Sequence, residues 1–326
     1  MRRLKERFRV TGGEEEVTDF CGLQIRRDYA ARTVTLHQER YARQMMASYD
    51  MEKEKAVETP FMVGATPLQP YEGAPLDEME TFDYSQFLGD LAWYSRTNPG
   101  LAWSVHDFMA NPGPKHIAAA RRVLCYIKEH LTAGLTYHGS DLVLHQSYDH
   151  RDKLVSAFDA NFPHDGAKAT SGVAILFNGA AISWKVRRQT TVSLNTTEAE
   201  VKAISMGVEM VRSLHQLVSE IMGVEHLSVR SMVDSQAAEM QIVDGLDTKK
   251  CASYKRAQAY AENAVESGML WLDHVPGKHN PADILTKAVR DIGEYTTKCG
   301  ILSGERPFLY GSAAVDKALA QKRLGE

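Results

Sequence analysis

Several features that would settle the class of this protein at once are missing. Only 4 of its 326 residues are cysteine, and Cys21, Cys125, Cys251 and Cys299 form neither a Cys-x-x-Cys pair nor a zinc-type Cys/His cluster. They read as reduced structural thiols of an intracellular protein. No apolar run approaches the roughly 20 residues that span a bilayer, and no secretory h-region follows the N-terminus, so no membrane partner is expected. Excess charge is lacking too. At a formal net charge of -4, any nucleic-acid partner would have to be gripped by local basic patches. The basic opening, Met1-Arg-Arg-Leu-Lys-Glu-Arg-Phe-Arg, reads as a solvated segment. Internal repeats and low-complexity tracts are absent.

What is present suits two modest domains, each able to bury a core. Apolar residues make up 44% and charged residues 25%, as in ordinary soluble proteins. From Asp19 to about Pro60 the pattern predicts strand, turn, strand, helix, with Phe20 to Ile25 and Thr33 to His37 alternating as half-buried strands. Met62 to Asp77, rich in proline and glycine, reads as a linker. Helices are predicted over Tyr84 to Ser95, Leu101 to Met109 and Lys115 to Leu131. The last sets Ile117, Ala120, Val123, Leu124 and Ile127 on one face. Beyond Tyr137 strands and helices alternate. Leu154 to Asp159 is a short apolar strand, and Thr170 to Lys185 is a hairpin about Asn178-Gly179. A long helix covers about Thr197 to Met222, a strand Ser228 to Asp234, helices Ser235 to Val243 and Tyr254 to Glu266, and a strand Leu270 to Val275. Asn280-Pro281 opens a last helix. The order implies an α/β fold, a mixed sheet covered by helices.

Four carboxylates stand out. Asp159 and Asp234 each end an apolar strand, the place where ligands collect in such sheets, and two acids brought together there repel unless a cation sits between them. Glu200 is open to two readings. Thr197-x-x-Glu200 matches a capping box; with Asn195 as cap, Glu198 takes that position and Glu200 is free to point elsewhere, since residues two apart face differently. Asp283 is equally ambiguous, because Asn280 as N-cap and Pro281 at the first position put it where an acid favours the helix dipole. If the four converge, they make a site for hard divalent ions, usually Mg²⁺. Two such ions about 3.5 to 4 Å apart can activate a water and stabilise the leaving oxygen in phosphodiester cleavage.

The chain also resembles the C-terminal part of the Pol polyprotein of copia-type LTR retrotransposons, from about Asp19 to Lys287. The resemblance is carried by Phe20-Cys-Gly-Leu, Thr59-Pro60, Tyr84-Ser-Gln-Phe-Leu-Gly-Asp-Leu-Ala-Trp-Tyr-Ser-Arg-Thr-Asn-Pro99 and His116-Ile-Ala-Ala-Ala-Arg-Arg-Val-Leu-Cys-Tyr-Ile-Lys128. Thr170-Ser-Gly172, Ile182-Ser-Trp-Lys185, Thr197-Glu-Ala-Glu200, Asp234-Ser-Gln236 and Ala282-Asp-Ile-Leu-Thr-Lys287 complete it. It implies an RNase H-like mixed five-stranded sheet with flanking helices, preceded by a smaller α+β and helical connection region. It also implies an endonuclease that cuts the RNA strand of an RNA/DNA hybrid with two Mg²⁺ ions, Mn²⁺ being a possible substitute. The family's motif order gives the catalytic, metal-binding acids as Asp159, Glu200 in preference to Glu198, Asp234 and Asp283. The implied division is 1–60 for the end of the reverse transcriptase region, 61–138 for linker and helical connection, 139–290 for the RNase H-like domain and 291–326 for a C-terminal tail. The implied setting is a virus-like particle in the cytoplasm, or the nucleus, with the rest of a Pol polyprotein as a further partner.

Departures narrow this. No Tyr-x-Asp-Asp turn occurs, so polymerase activity by this chain is not expected. Phe162 replaces the Trp usual after the first acid, and the family's Lys-His-Ile-Asp is not reproduced around Ser253 to Arg256. Lys185, Arg187, Arg188 and Gln189 follow the hairpin as candidate phosphate contacts, with Gln236 and His279 as further candidates; His279 lies four residues before Asp283. Hybrids are read by backbone shape and 2′-hydroxyls, so no base code is expected. Trp184 is expected in the core. The alternatives are a non-catalytic relic that grips nucleic acid without cutting and, from a different class, an integrase-like or exonuclease relative that cuts DNA.

Overall fold

The computed structural model describes residues 16–62, 65, 68, 71–73, 84–106, 112–139, 154–163, 165–245, 253–306 and 308. The basic opening segment, most of the stretch read as a linker, the end of the helix expected to Met109, Cys251 and nearly all of 307–326 lie outside them. Among the described residues Cys21, Cys125 and Cys299 are free thiols, and no helix is long and apolar enough to cross a membrane.

Strands β1 (Asp19–Phe20), β2 (Leu23–Asp28) and β3 (Thr33–His37) form an antiparallel meander. The alternation from Phe20 to Ile25 predicts one strand, but the chain reverses at Cys21-Gly22, with φ of 49° and 80°, and Phe20 pairs with Leu23. Positive φ at both central residues is the geometry of a tight hairpin turn. Helix α1 (Glu39–Ser48) buries Ala42, Met45 and Met46 among Phe87 and Leu91 of α2 (Tyr84–Tyr94). A short α3 (Ala102–His106) follows, then α4 (Pro114–Glu129), whose Ala120, Val123, Leu124 and Ile127 complete that core. Strand β4 (Gly134–His138) returns to pair with β3, giving a sheet ordered β1-β2-β3-β4.

The second sheet is ordered β7-β6-β5-β8-β9. Strands β5 (Leu154–Asn161), β6 (Thr170–Phe177) and β7 (Ala180–Arg188) are antiparallel. Asn178 and Gly179, with φ of 49° and 96°, form the expected two-residue turn. Helix α5 (Thr196–Met222) leads to β8 (Val229–Val233), which is parallel to β5. Helices α6 (Gln236–Val243) and α7 (Lys255–Glu266) precede β9 (Leu270–His274), which is parallel to β8. Both faces of the sheet are covered, which is why β5 and β6 read as apolar runs without clean alternation. On one face Leu154, Phe158, Val173 and Ile175 pack on Val201, Ile204 and Val208 of α5. On the other Val155, Ala157, Ala174 and Leu176 pack on Ile284 and Leu285.

Those two residues belong to a 3-10 turn, Pro281–Leu285. The helix predicted from Asn280-Pro281 is thus one short turn, and a separate α8 (Ile292–Ser303) follows in the stretch expected to be tail. Its Tyr295, Ile301 and Leu302 are buried in the same core. The two sheets meet at their edges, where the Tyr137 hydroxyl donates to the Ala181 carbonyl at 2.8 Å and the His138 N–H to that of Asn178 at 3.0 Å. This is an RNase H-like α/β fold, defined by three antiparallel strands continued by two parallel ones.

Candidate metal centre

Asp159 stands near the end of β5 opposite Gly172 of β6. A Cβ on Gly172 would lie 2.7 Å from Thr286 and 2.8 Å from Leu285, so only glycine lets the 3-10 turn press onto the sheet there. Asn280, fully buried, fixes that turn twice over. Its Nδ2 donates to the Phe158 carbonyl at 2.8 Å, and its Oδ1 caps the turn by accepting from Ala282 N at 3.1 Å. Asp234 follows β8 directly, and the parallel pairing of β5 with β8 brings both acids to one rim of the sheet.

The ambiguity at the start of α5 resolves. Asn195 is the N-cap, accepting from Glu198 N at 2.9 Å, and Glu198 reaches back to accept from Leu194 N at 3.0 Å while pairing with Lys202 at 2.8 Å. Glu198 is therefore the capping acid. Glu200 turns toward the sheet, and the helix approaches closely because a Cβ on Gly207 would lie only 2.2 Å from the Phe158 ring.

One oxygen each from Asp159, Glu200 and Asp234 lies within 4.8 Å of the others. Asp159 is 1% exposed and Glu200 8%. Thr286 Oγ1 donates to Asp159, but Oε2 of Glu200 is buried with no hydrogen-bond partner. Burial, reinforced by Asp159 and Asp234, pushes the Glu200 carboxyl up to about 10. Burial likewise pushes Asp159 up to about 6, against the opposing pull of Lys287, and raises Asp234. The group is short of positive charge. Three carboxylates without histidine or cysteine, one oxygen lacking any donor, fit a hard divalent ion such as Mg²⁺ or Mn²⁺.

Asp283 is buried beside this group, but it is not one of the three. Both its oxygens are taken by ammonium groups: Lys287 Nζ pairs with Oδ1, and Lys298 Nζ lies 2.8 Å from Oδ2. Lys298 is itself fully buried and also donates to Glu294. The sequence shows Lys287 only as the end of a motif, and nothing local marks Lys298, which comes from α8.

The candidate substrate contacts scatter. Arg187 lines an open groove of about 420 Å³ with Ser171, Thr190, Lys202 and Tyr260, on the α5 side of the sheet. Arg188 is exposed and Lys185 half-buried. Gln189 is no surface contact: it is buried, donates to Ser171 Oγ and the Ala199 carbonyl at 2.9 Å each, and accepts from Ser193. Gln236 is exposed at the start of α6, two residues past Asp234. His279 is half-buried in a 3-10 turn, Gly277–His279, and none of the hydrogen bonds found for the carboxylates includes it. The histidine that does reach the third acid's backbone is His274, with Nε2 3.1 Å from the Asp234 carbonyl. Trp184 packs, partly buried, on the core.

Fold and carboxylates together define an RNase H-like domain. Over 284 residues the chain is 29% identical to a retrovirus-related Pol polyprotein from transposon TNT 1-94 of Nicotiana tabacum, covering 82% of this chain and 20% of that protein. Over 291 residues it is 26% identical to the one from transposon RE1 of Arabidopsis thaliana, covering 87% and 19%. Over most of its length the chain is similar to these retrovirus-related Pol polyproteins, in keeping with its copia-type motifs, and it spans about a fifth of the length of the curated relatives it matches. No protein-family model matches it. Among solved structures, RNase H1 of Halobacterium salinarum is similar over 41% of this chain and 93% of its own, at 20% identity and a TM-score of 0.31; the fold assignment rests on the strand order.

Proposed function

We propose that the chain is an RNase H-type endonuclease that cuts the RNA strand of an RNA/DNA hybrid. The observation that carries this reading is the buried Glu200 Oε2, held without a donor between two other carboxylates. Asp159, Glu200 and Asp234 would hold the divalent ion, which when bound supplies an activated water and charge stabilisation at the phosphate. The protein's own part is positional. The sheet rim fixes Asp159 and Asp234, the capped start of α5 aims Glu200, and the packed 3-10 turn keeps Asp283 and its lysines alongside. Arg187 and Lys202 on the groove, with Lys185 and Arg188 beside Arg187 in the chain and Gln236 two residues past Asp234, would meet backbone phosphates without reading bases. Full two-ion occupancy requires Asp283 to exchange a lysine for an ion. The proposed division runs along the two sheets, with the first sheet and its helices as the end of a polymerase region and its connection.

Asp234→Asn tests the reading. It is expected to abolish Mg²⁺-dependent cleavage of a hybrid, with the far-UV spectrum and melting transition retained; undiminished cutting would sink the assignment. The ion pairs that occupy Asp283 favour one other reading, a non-catalytic module that grips nucleic acid. Purified protein that binds hybrid but cuts nothing in Mg²⁺ or Mn²⁺ would establish it.

A further inference from the structure

The four acids expected to act as equals fall into two groups. Asp159, Glu200 and Asp234 converge, with an oxygen unpartnered. Asp283 is neutralised from both sides by Lys287 and Lys298. Counting charge shows what this allows. Four carboxylates carry four negative charges, the two ammonium groups cancel two, and one divalent ion closes the balance. A second divalent ion would leave an excess of positive charge beside two ammonium groups, one of them, Lys298, fully buried, and like charges so placed repel. Glu294, which shares Lys298, has a side chain about one-third exposed and Lys287 one 43% exposed, so water screens both in part, and the occupation of both Asp283 oxygens is the observation that carries the inference.

We propose that, in the free protein, the site takes a single divalent ion at Asp159, Glu200 and Asp234, and that Lys287 holds the second cation's place at Asp283. The inference rests on the proposed metal-dependent reading and specifies its stoichiometry. Lys287 lies one turn after Asp283, its side chain 43% exposed, so it can pair with the acid from the solvent side. Lys298, without exposure, is the fixed partner. The reach of Lys287 extends beyond its ion pair: its charge favours the ionised forms of Asp159, Glu200 and Asp234 as well. It is a positioning and charge-balancing residue, and no substrate contact is assigned to it.

The test uses Mn²⁺ alone as the probe on the full chain, counting bound ions by electron paramagnetic resonance and calorimetry without nucleic acid. Wild type is expected to bind one ion at the site, lost in Glu200→Gln. Lys287→Met is expected to bind a second ion, or the first about tenfold more tightly, equivalent to about 1.4 kcal/mol. Lys287→Arg should keep the wild-type count, and it covers the case in which Lys287→Met fails to fold. Two site-bound ions in wild type, or an unchanged count and affinity in a folded Lys287→Met, would overturn the inference while leaving the metal site standing. No Mn²⁺ bound in wild type would instead remove the metal reading itself, and the inference with it.

Discussion

Asp90 in the helical layer of the N-terminal region and Glu200 at the rim of the second sheet are both acids set among packed elements, and they are provided for in opposite ways. Asp90 accepts the Tyr41 hydroxyl at 2.7 Å and the Tyr49 hydroxyl at 2.5 Å, tying α1 and the residue after it to α2. Glu200 is more deeply placed, yet one of its oxygens has no donor. An acid that serves the fold finds donors, because a buried polar group left unpaired costs about 1–3 kcal/mol. An acid kept unpaired among other acids destabilises the free protein and marks a place where something else must bind. At Asp90 the fold satisfies the acid; at the rim it holds charge in reserve.

Glu200→Gln breaks the comparison most sharply. The amide keeps the shape but removes the charge, so hybrid cleavage in Mg²⁺ is expected to fall to background. The metal-free protein should at the same time gain about 1–3 kcal/mol in denaturant unfolding, the cost of an unsatisfied buried group. Loss of activity with loss of stability would mean that Glu200 is a structural acid like Asp90.

The next effect is on pH dependence. The folded-state proton affinities of Asp159 and Glu200 are raised, from 3.8 to about 6 and from 4.5 to about 10, with burial the leading cause in each. Stability contributed by their neutral forms is therefore fully present below about pH 4, and is lost as pH rises through about 6 and on toward 10. Glu198, in contrast, is lowered: burial raises it, but the bonds from Lys202, Leu194 and Ser253 outweigh that. Its contribution is present above 4.5 and lost on acidification. Thermal melts of metal-free protein from pH 5 to 9 should show a falling midpoint, flattened by saturating Mg²⁺ and, in the upper half of the range, by Glu200→Gln. A slope untouched by that substitution would assign the window to other groups.

Much of this contrast could be read from the chain. Asn178-Gly179 between alternating residues announced the hairpin, and an apolar run ending at Asp159 announced a rim. Asn195 as cap already implied that Glu198 and Glu200 divide the work, although the rival capping box at Thr197 left it open until the hydrogen bonds of Asn195 and Glu198 decided it. Local pattern failed where partners come from far along the chain. Lys298 reaches Asp283 across 15 residues and a change of element, in a stretch with no strong apolar periodicity, so α8 read as tail. Cys21-Gly22 sits inside an alternation that one strand would also satisfy, and the reversal needs positive φ at a cysteine, which propensity does not suggest. The pairing of Asp283 with two lysines likewise depends on how the 3-10 turn meets α8.

The smallest expected effect sharpens the comparison from the other side. In Asp90→Asn the amide oxygen can still accept from one tyrosine, and the other hydroxyl can turn to accept from the amide nitrogen, so both contacts persist in weaker, uncharged form. Hydrogen bonds to charged groups contribute about 1.5–3 kcal/mol against about 1 for neutral ones, and Asp90 is only half-buried, so water screens part of the difference. The expected loss is about 1 kcal/mol in denaturant unfolding, with Mn²⁺ affinity and hybrid cleavage unchanged. The charge shortage at Glu200 is local to the rim, and Asp90 lies on α2 in the other region. A shift of more than about threefold in Mn²⁺ affinity, near 0.6 kcal/mol, would show that the helical layer and the metal site are coupled through the edge contacts of Tyr137 and His138.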